Sequence, residues 1–365
     1  MNQPEETPYV AAIPQRASQF TKASELAEKQ VPEREWLVRN WIPGRNVTLV
    51  YGDGGTGKSL LTLQLAHAVA TGGPWMGKHV KHGDAVFISA EDDEDELHIR
   101  LADIARETGT SFLDMDRLTY RSLAGEDALL ANLDHAKGLT ATTLYAEVDA
   151  YLSKTQPALL VLDTLADLFP GNENDRAQAR QFIGLMRKYS LQRNCAVVLL
   201  AHPSLSGLNS GTGGSGSTGW SNSVRARLYF ERVTEKYDSG HINEPDVNAR
   251  KLFQKKTNYG PAGLEISAEY ANGIFIAKAE ATPLDRKAAS AKAERVFLKL
   301  ARMYQEQHRP LNASSGSNYA PAQFSSHPDN EGVTKKGFKD AMNSLLSQGK
   351  IRNVKEGRSM RLVLG

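Results

Sequence analysis

Short apolar blocks alternate with longer amphipathic segments along most of the chain. The blocks at 47–51, 85–89, 158–162 and 195–201 are largely apolar throughout, which is typical of parallel strands buried on both faces. The segments 60–70, 97–107, 143–153 and 176–193 carry apolar residues at helical spacing. This order predicts an α/β fold, with a mostly parallel sheet flanked by helices. Further strand-like segments are 118–122, 227–233, 249–256, 264–268 and 274–277.

The beginning of the chain follows a different pattern. Residues 1–32 lack a steady apolar period and contain Pro4, Pro8 and Pro14. They are predicted to be a flexible lead-in with one short helix over 18–28. The α/β domain is then expected over 33–280.

The end of the chain, 288–365, is predicted to be a separate small domain. Helices are expected over 291–307 and 334–348, followed by two alternating strands within 351–364 that join at Glu356 and Gly357. Two helices followed by a basic hairpin resemble a winged-helix domain. An added α+β domain of this kind is therefore expected.

A glycine-rich octet follows the strand at 47–51 and fits the Walker A pattern in full. Its glycines let backbone N–H groups converge on a phosphate, Lys58 can reach the β- and γ-phosphates, and the Ser59 hydroxyl can bind Mg²⁺. An apolar helix follows, with its positive end towards the anion. The octet therefore predicts nucleotide binding. Its members are Gly52, Asp53, Gly54, Gly55, Thr56, Gly57, Lys58 and Ser59.

Polar side chains follow three other predicted strands. Glu91 and Asp92 come after the second strand, Asp163 ends the central one at the Walker B position, and His202 follows the next. The carboxyl ends of parallel strands meet at one edge, where open α/β sheets place their chemistry. Asp163 is therefore expected to hold Mg²⁺ opposite Ser59.

A segment rich in glycine and serine, 204–219, follows His202. Because strand-like segments continue beyond it, it interrupts the core, and we expect it to become ordered on a ligand. It contains no Lys or Arg, so a nucleic acid strand there would be held by backbone and hydroxyl groups.

Composition limits the class of protein. The chain has 365 residues, 40% of them hydrophobic, which is enough for two domains with a buried core. It has no apolar run of membrane-spanning length and no signal-peptide pattern, so we expect a cytoplasmic protein that does not bind membranes. The single cysteine, Cys195, lies in a predicted buried strand and is expected to be inert.

The net charge of +2 conceals an asymmetry between the two parts of the chain. Residues 281–365 contain 15 Lys and Arg against 7 Asp and Glu, whereas the preceding residues carry a charge of −6. A basic module attached to an acidic core points to a polyanion, and nucleic acid is the commonest one in the cytoplasm.

These motifs form an ordered set over about 36–279. In that order, and with I-S-A-E-D and L-L-A-H at the second and fourth strands, the chain resembles the RecA-like ATPases. It resembles most closely the hexameric replicative helicases of the plasmid RepA type and their phage and mobile-element relatives. The resemblance implies ATP and Mg²⁺ bound by Lys58, Ser59 and Asp163. Glu91 would be the catalytic base, with Asp92 as the reserve, and His202 a sensor that couples the γ-phosphate to the segment 204–219.

The same resemblance implies residues that act on a neighbouring subunit. Arg225 matches the family's arginine finger best, with Arg227 as the reserve. The two arginines are two residues apart at the start of a strand, so they share one face. Lys256, in K-K-T-N-Y-G, resembles the family's second trans element. The alternatives are surface ion pairing for the arginines and a core or helix-capping role for His202. If either trans assignment holds, a monomer cannot be fully active.

The sequence thus predicts an ATP-hydrolysing DNA helicase or translocase that forms a ring, expected as a hexamer, in replication of a plasmid, phage or mobile element. Single-stranded DNA would bind the segment 204–219 in the pore, and DNA or a replication protein would bind the C-terminal domain. Two alternatives stay open. One is a nucleotide-switched DNA-binding regulator or loader with slow ATPase activity, and the other is a small-molecule P-loop kinase.

Overall fold

The computed structural model describes residues 20–134, 138–202, 218–236, 242–279, 282–356 and 359–365. The chain divides into two compact units, Met1–Ala277 and Lys278–Gly365. Within the described residues, none of the helices combines the length and the apolar character needed to cross a lipid bilayer.

The first unit contains fifteen strands in its described residues. They are β1 (Trp36–Val38), β2 (Ile42–Pro43), β3 (Val47–Tyr51), β4 (Ala85–Ser89), β5 (Leu118–Ser122), β6 (Ala131–Asp134), β7 (Gly138–Ala141), β8 (Leu159–Asp163), β9 (Ala196–Ala201), β10 (Ala226–Arg232), β11 (Glu235–Lys236), β12 (Ile242–Asn243), β13 (Ala249–Thr257), β14 (Glu265–Ala271) and β15 (Ile274–Ala277).

Six α-helices accompany these strands in the described part of the unit. They are α1 (Lys58–Thr71), α2 (Glu94–Thr108), α3 (Thr143–Thr155), α4 (Leu165–Leu168), α5 (Arg176–Gln192) and α6 (Thr218–Ser223).

One nine-stranded sheet carries the unit, in the order β15-β14-β13-β10-β3-β9-β8-β4-β5. The pairs from β10 to β5 are parallel, whereas β13, β14 and β15 add to β10 in antiparallel fashion. β9 lies between β3 and β8, and helices connect the parallel strands across the sheet. This is a RecA-like P-loop core, and it confirms the predicted fold class.

Apolar clusters cover both faces of the sheet. One packs α1 and α2 against the sheet, and the other packs α3 and α5 against the opposite face. Strands β8 and β9 are buried at every position, as their continuously apolar sequences require. Cys195, just before β9, is fully buried, and burial raises the pKa of its thiol to about 12, so the thiol is unreactive.

The N-terminal helix predicted over 18–28 is not formed in the described residues. They contain a single 3₁₀ turn, Ala23–Leu26, with no buried side chain. An isolated helix of that length is marginal in water unless it packs an apolar face, and Leu26 is more than half exposed. The rest of the lead-in, up to residue 19, lies outside the described residues.

The second unit has a core of its own. It comprises α7 (Pro283–Glu306), α8 (Ala320–Ser325), α9 (Lys335–Ser347) and the hairpin of β16 (Ile351–Glu356) and β17 (Ser359–Leu364). The helix α8 lies between the two predicted helices, in a segment for which no helix was predicted. It forms because Pro321 is favourable in its first turn and Phe324 packs between the rings of Phe297 and Phe338.

Candidate nucleotide-binding site

The glycine-rich octet lies between β3 and α1, at the carboxyl edge of the parallel strands. Two of its glycines are required by close packing. A Cβ atom on Gly52 would lie 2.2 Å from the carbonyl oxygen of Phe230, and one on Gly57 would lie 2.4 Å from the Phe275 ring. Gly57 also has φ of 93°, a conformation that other residues rarely adopt. The turn therefore brings the backbone close to the start of α1, where an anion would be favoured.

Lys58 points back into this turn and is only 5% exposed. Its ammonium donates to the carbonyl oxygens of Gly52 at 2.7 Å and Asp53 at 3.2 Å. Burial lowers the pKa of Lys58, and the carboxylates of Asp163, Glu91 and Asp53 oppose that shift. A phosphate entering the loop would give this ammonium a stronger partner than the carbonyls it now contacts.

Asp163 ends β8 and has no exposed surface. Neither of its carboxylate oxygens has a hydrogen-bond partner within the described residues. Burial raises the pKa of Asp163 to about 7, while the nearby Ser59 hydroxyl and Lys58 ammonium oppose the shift. A buried carboxylate left without partners fits a divalent cation, whose charge would favour the ionised form.

Mg²⁺ suits this arrangement because it binds through one or two protein oxygens, with phosphates and water completing its shell. Ser59 and Asp163 would hold the ion, which would neutralise charge on the phosphates. No cluster of three or more His, Cys, Asp or Glu ligands occurs in the described residues, so they contain no all-protein metal cage.

His202 lies between Lys58 and Glu91. Its Nδ1 is 3.3 Å from the Lys58 ammonium, and its Nε2 is 3.8 Å from Glu91 Oε1. An ammonium can only donate, so Nδ1 accepts and the proton of the neutral ring is on Nε2, facing the carboxylate. Burial and the neighbouring ammonium lower the pKa of His202, which favours this neutral form, although Glu91 opposes the shift.

The two acids after β4 have different surroundings. The Glu91 side chain is 46% exposed and borders the cavity beside the P-loop. The Asp92 carboxylate is instead paired with Arg100 in α2 at 2.5 Å, and its backbone N–H donates to Ser89 Oγ. Burial raises the pKa of Asp92 against the effect of Arg100. Both residues border the cavity, but the Asp92 carboxylate is held by Arg100. Glu91 is therefore the better placed candidate to orient a water molecule.

A cavity of about 510 Å³ adjoins the P-loop. Sequence reasoning did not identify three residues of its wall, Arg250, Tyr270 and Phe275, which come from the antiparallel strands. Gln64 of α1 holds the backbone N–H and carbonyl of Phe275 at 2.9 Å each. No motif marks these residues, since only the packing of β14 and β15 against α1 and α2 brings them to the P-loop. The half-exposed Tyr270 ring offers the cavity an aromatic face.

The predicted trans residues lie at the other edge of the sheet. Arg227 is the register partner of Leu49 in β3 and of Lys256 in β13, so it lies about 10 Å before the P-loop along the strand. Arg225 immediately precedes β10. Burial lowers the pKa of Lys256, and the two arginines lower it further. None of this cation cluster, Arg225, Arg227 and Lys256, borders the cavity beside the P-loop of its own chain.

The glycine- and serine-rich segment lies outside the described residues from 203 to 217. Its two ends are described. His202 precedes it, and α6 follows with Trp220, whose buried indole donates to the Glu173 carbonyl oxygen at 2.9 Å. The Lys256 ammonium donates to the Ser221 carbonyl oxygen of the same helix at 2.6 Å.

Comparison with known proteins identifies the family. A family model described as the AAA domain matches residues 14–207, more than half of the chain. Among solved structures, a KaiC-like protein from the archaeon Pyrococcus horikoshii is similar at 13% identity and a TM-score of 0.45, covering 67% of this chain and 94% of that one. The RadB recombinase is similar at 13% identity and a TM-score of 0.44, covering 65% and 93%. With the family match and the P-loop geometry together, the chain belongs to the AAA domain family, and its first unit is an ATP-binding ATPase with a RecA-like core.

Proposed function

We propose that this protein is an ATP-driven, ring-forming DNA translocase or helicase, expected as a hexamer, that acts in replication of a plasmid, phage or mobile element. The observation that carries the proposal is the position of His202, which contacts Lys58, faces Glu91 and directly precedes the segment 204–219. A change at the γ-phosphate would therefore alter the contacts of His202, the residue that precedes that segment.

The other end of the segment supports the same coupling. Trp220 anchors α6 in the core through its ring contact with Phe169 and its hydrogen bond to Glu173, so the segment is followed by a fixed point of attachment. Lys256 contacts the same helix through Ser221. A segment attached at one end to the nucleotide site and at the other to the cation cluster could receive signals from two nucleotides, one on each side of a subunit.

The cation cluster is the proposed trans element. Arg225 Nε is buried without a hydrogen-bond partner among the described residues, and surface ion pairing does not account for it. The cluster lies away from its own P-loop, as a group that serves a neighbouring subunit must. A phosphate on that neighbour would give the Arg225 guanidinium group an anionic partner.

Replacement of Arg225 by Ala should reduce ATP turnover of the assembled protein about 10³-fold, the usual value of an arginine finger. When Arg225→Ala and Lys58→Ala subunits are mixed, part of the activity should return. Some interfaces then combine an intact P-loop from one subunit with an intact arginine from the other. The measurement is ATPase rate against mixing ratio.

Arg180→Ala is a suitable control because it removes an exposed arginine of α5 that lies outside both the cavity and the cation cluster. Mixtures that stay inactive at every ratio would argue against a trans arginine at 225. The same mixtures with Arg227→Ala would then test the reserve candidate.

The second unit, which we interpret as a winged-helix domain, is proposed to bind DNA. Some of its acids have structural partners. Glu331 pairs with Arg295 and Lys299, and Asp285 caps α7. Lys336 and Lys339 of α9 are exposed and have no acidic partner among the described residues. This excess of unpaired cations would favour a polyanion.

The direct test is steady-state ATPase activity with and without single-stranded DNA, with the mass of the protein followed by light scattering as ATP is added. We expect strong stimulation and a ring-sized mass. Charge reversal by Lys336→Glu with Lys339→Glu should weaken DNA binding and make its dependence on salt concentration shallower, because fewer counterions are released, while the DNA-free ATPase rate should not change. A reduced DNA-free rate would show that these lysines do not act through DNA.

A nucleotide-switched regulator or loader is the second candidate. The observation that favours it is the absence of Lys and Arg from 204–219, which leaves that segment without ion pairs to a phosphate backbone. A slow ATPase that ignores DNA and stays monomeric or dimeric would support this candidate, and it would contradict the translocase.

A further inference from the structure

Two arginines lie directly opposite each other next to the P-loop. Arg232 ends β10, Arg250 is near the start of β13, and their Cα atoms are register partners in the antiparallel ladder. Like charges in such positions destabilise a sheet. Arg250 is also buried, and burial lowers its pKa, with Arg232 lowering it further. This unfavourable pair calls for a functional explanation.

Both guanidinium groups donate to backbone carbonyls of the P-loop. Arg250 Nε contacts the Thr56 carbonyl oxygen at 3.2 Å, and an Arg232 Nη contacts that of Gly55 at 3.3 Å. Arg250 Nη1 also donates to the carbonyl oxygens of Val247 at 2.7 Å and Ala249 at 2.9 Å. Arg250 is thus held on its own strand and in turn holds the loop.

The direction of these contacts matters for phosphate binding. A peptide group is planar and trans, so its N–H points opposite to its C=O. The Thr56 carbonyl shares a peptide group with the Gly57 N–H, at the start of α1. When Arg250 donates to the Thr56 carbonyl oxygen, the Gly57 N–H is directed to the side away from Arg250.

Glu244 lies between the two arginines. Its carboxylate oxygens are 3.4 Å from Arg232 Nη1 and 3.7 Å from Arg250 Nη1. The side chain is 22% exposed, so its charge is only partly screened. It reduces the repulsion of the pair and keeps both guanidinium groups oriented.

We propose that Arg250 is a positioning residue that holds the P-loop in its phosphate-receiving shape, and that Glu244 keeps Arg250 in place. The inference rests on the nucleotide-binding part of the proposed function and does not require DNA binding or a ring. Neither residue would touch the reacting atoms, so the expected loss is in ATP affinity and not in turnover at saturation.

The test is the Kd of a non-hydrolysable ATP analogue with Mg²⁺, measured by calorimetry on the full chain, together with KM and kcat for ATP. Arg250→Gln should raise Kd and KM roughly tenfold, with kcat within about threefold of the parent. Arg250→Lys keeps the charge but lacks the forked geometry, so its Kd should stay within about twofold of that of Arg250→Gln. Full rescue by Lys would overturn positioning in favour of charge alone.

Glu244→Gln gives a second, independent readout. Positioning of the P-loop and a purely electrostatic effect predict changes in Kd of opposite sign for this variant. Removing a carboxylate near a triphosphate would tighten binding if only the electrostatic field mattered. Positioning predicts that Glu244→Gln weakens binding roughly threefold, and that it causes no further weakening in the Arg250→Gln background. Tighter binding in the parent background would overturn the proposal.

Lys251→Gln is the matched control. Lys251 is the next residue on β13 and faces the other side of the sheet. Its ammonium is 2.7 Å from Glu265 Oε1, and this ion pair does not involve the P-loop. Its Kd should not change. If the parent protein itself does not bind the analogue, the proposed function fails. If the parent binds and Arg250→Gln binds equally well, only this inference fails. If circular dichroism shows that Arg250→Gln does not fold, the direction of the Kd change in Glu244→Gln decides whether the proposal holds.

Discussion

Replacement of Lys58 by Ala is expected to lower kcat/KM for ATP by about 10³-fold, by loss of a preorganised cation at the phosphates. Lys58 is the ammonium that the P-loop turns inwards, where it contacts two loop carbonyls and His202. Within the part of the chain that the structure describes, no other lysine borders the cavity. The measurement is steady-state ATPase activity over a range of ATP and Mg²⁺ concentrations, with nucleotide binding followed separately.

The control for this change is Lys81→Ala, which removes an exposed lysine paired with Glu35 outside the cavity. It should hydrolyse ATP as the parent does. The thermal midpoint of Lys58→Ala without nucleotide should change little, because a buried ammonium contributes poorly to stability once it is desolvated. A Lys58→Ala protein that hydrolyses ATP at the parent rate would show that the nucleotide binds elsewhere.

Replacement of Glu91 by Gln is expected to lower kcat by about 10²–10⁴-fold while ATP still binds. The change keeps the size of the side chain and removes the negative charge that would orient and activate a water molecule. Glu91 is half exposed at the cavity wall and faces His202 Nε2, so an amide there should not disturb the core. Single-turnover hydrolysis and equilibrium binding, measured on the same protein, separate the two effects.

Glu94→Gln is the matched control, because Glu94 is an exposed residue in the first turn of α2 and does not border the cavity. Its kcat should equal that of the parent. Asp92→Asn should behave differently again. It removes the charge paired with Arg100, so a loss of thermal stability should accompany any loss of rate. Unchanged turnover in Glu91→Gln would move the catalytic base elsewhere, with Asp92 as the next candidate.

Much of the fold could be predicted because its signals are local. The apolar blocks that form β3, β4, β8 and β9 match the observed strands to within about one residue, since a strand buried on both faces is apolar at most of its positions. Elements were predicted less accurately where tertiary packing, and not the local sequence pattern, stabilises them. The short helix α8 depends on Phe324 reaching the rings of the neighbouring helices, a contact that no local pattern reveals.

The candidate site divides in the same way. Lys58, Ser59, Glu91, Asp163 and His202 could be predicted together, because each follows a strand and parallel strands deliver their carboxyl ends to one edge. Arg250, Tyr270 and Phe275 could not be predicted. They belong to antiparallel strands whose sequences carry no motif, and they reach the P-loop only because β13 pairs with β10 and the β14–β15 turn packs against α2.

The sequence by itself determined the P-loop and the order in which polar candidate site residues follow the parallel strands. It also determined that an acidic core is followed by a basic C-terminal unit. Spacing, periodicity and charge are properties of the chain, so they can be read before it folds. Only the tertiary structure decided which of the two acids after β4 is paired with Arg100 and which nitrogen of His202 faces Glu91. It also decided which arginines donate hydrogen bonds to carbonyl groups of the P-loop. These depend on contacts between residues far apart in sequence, whose distances are set by sheet register and packing.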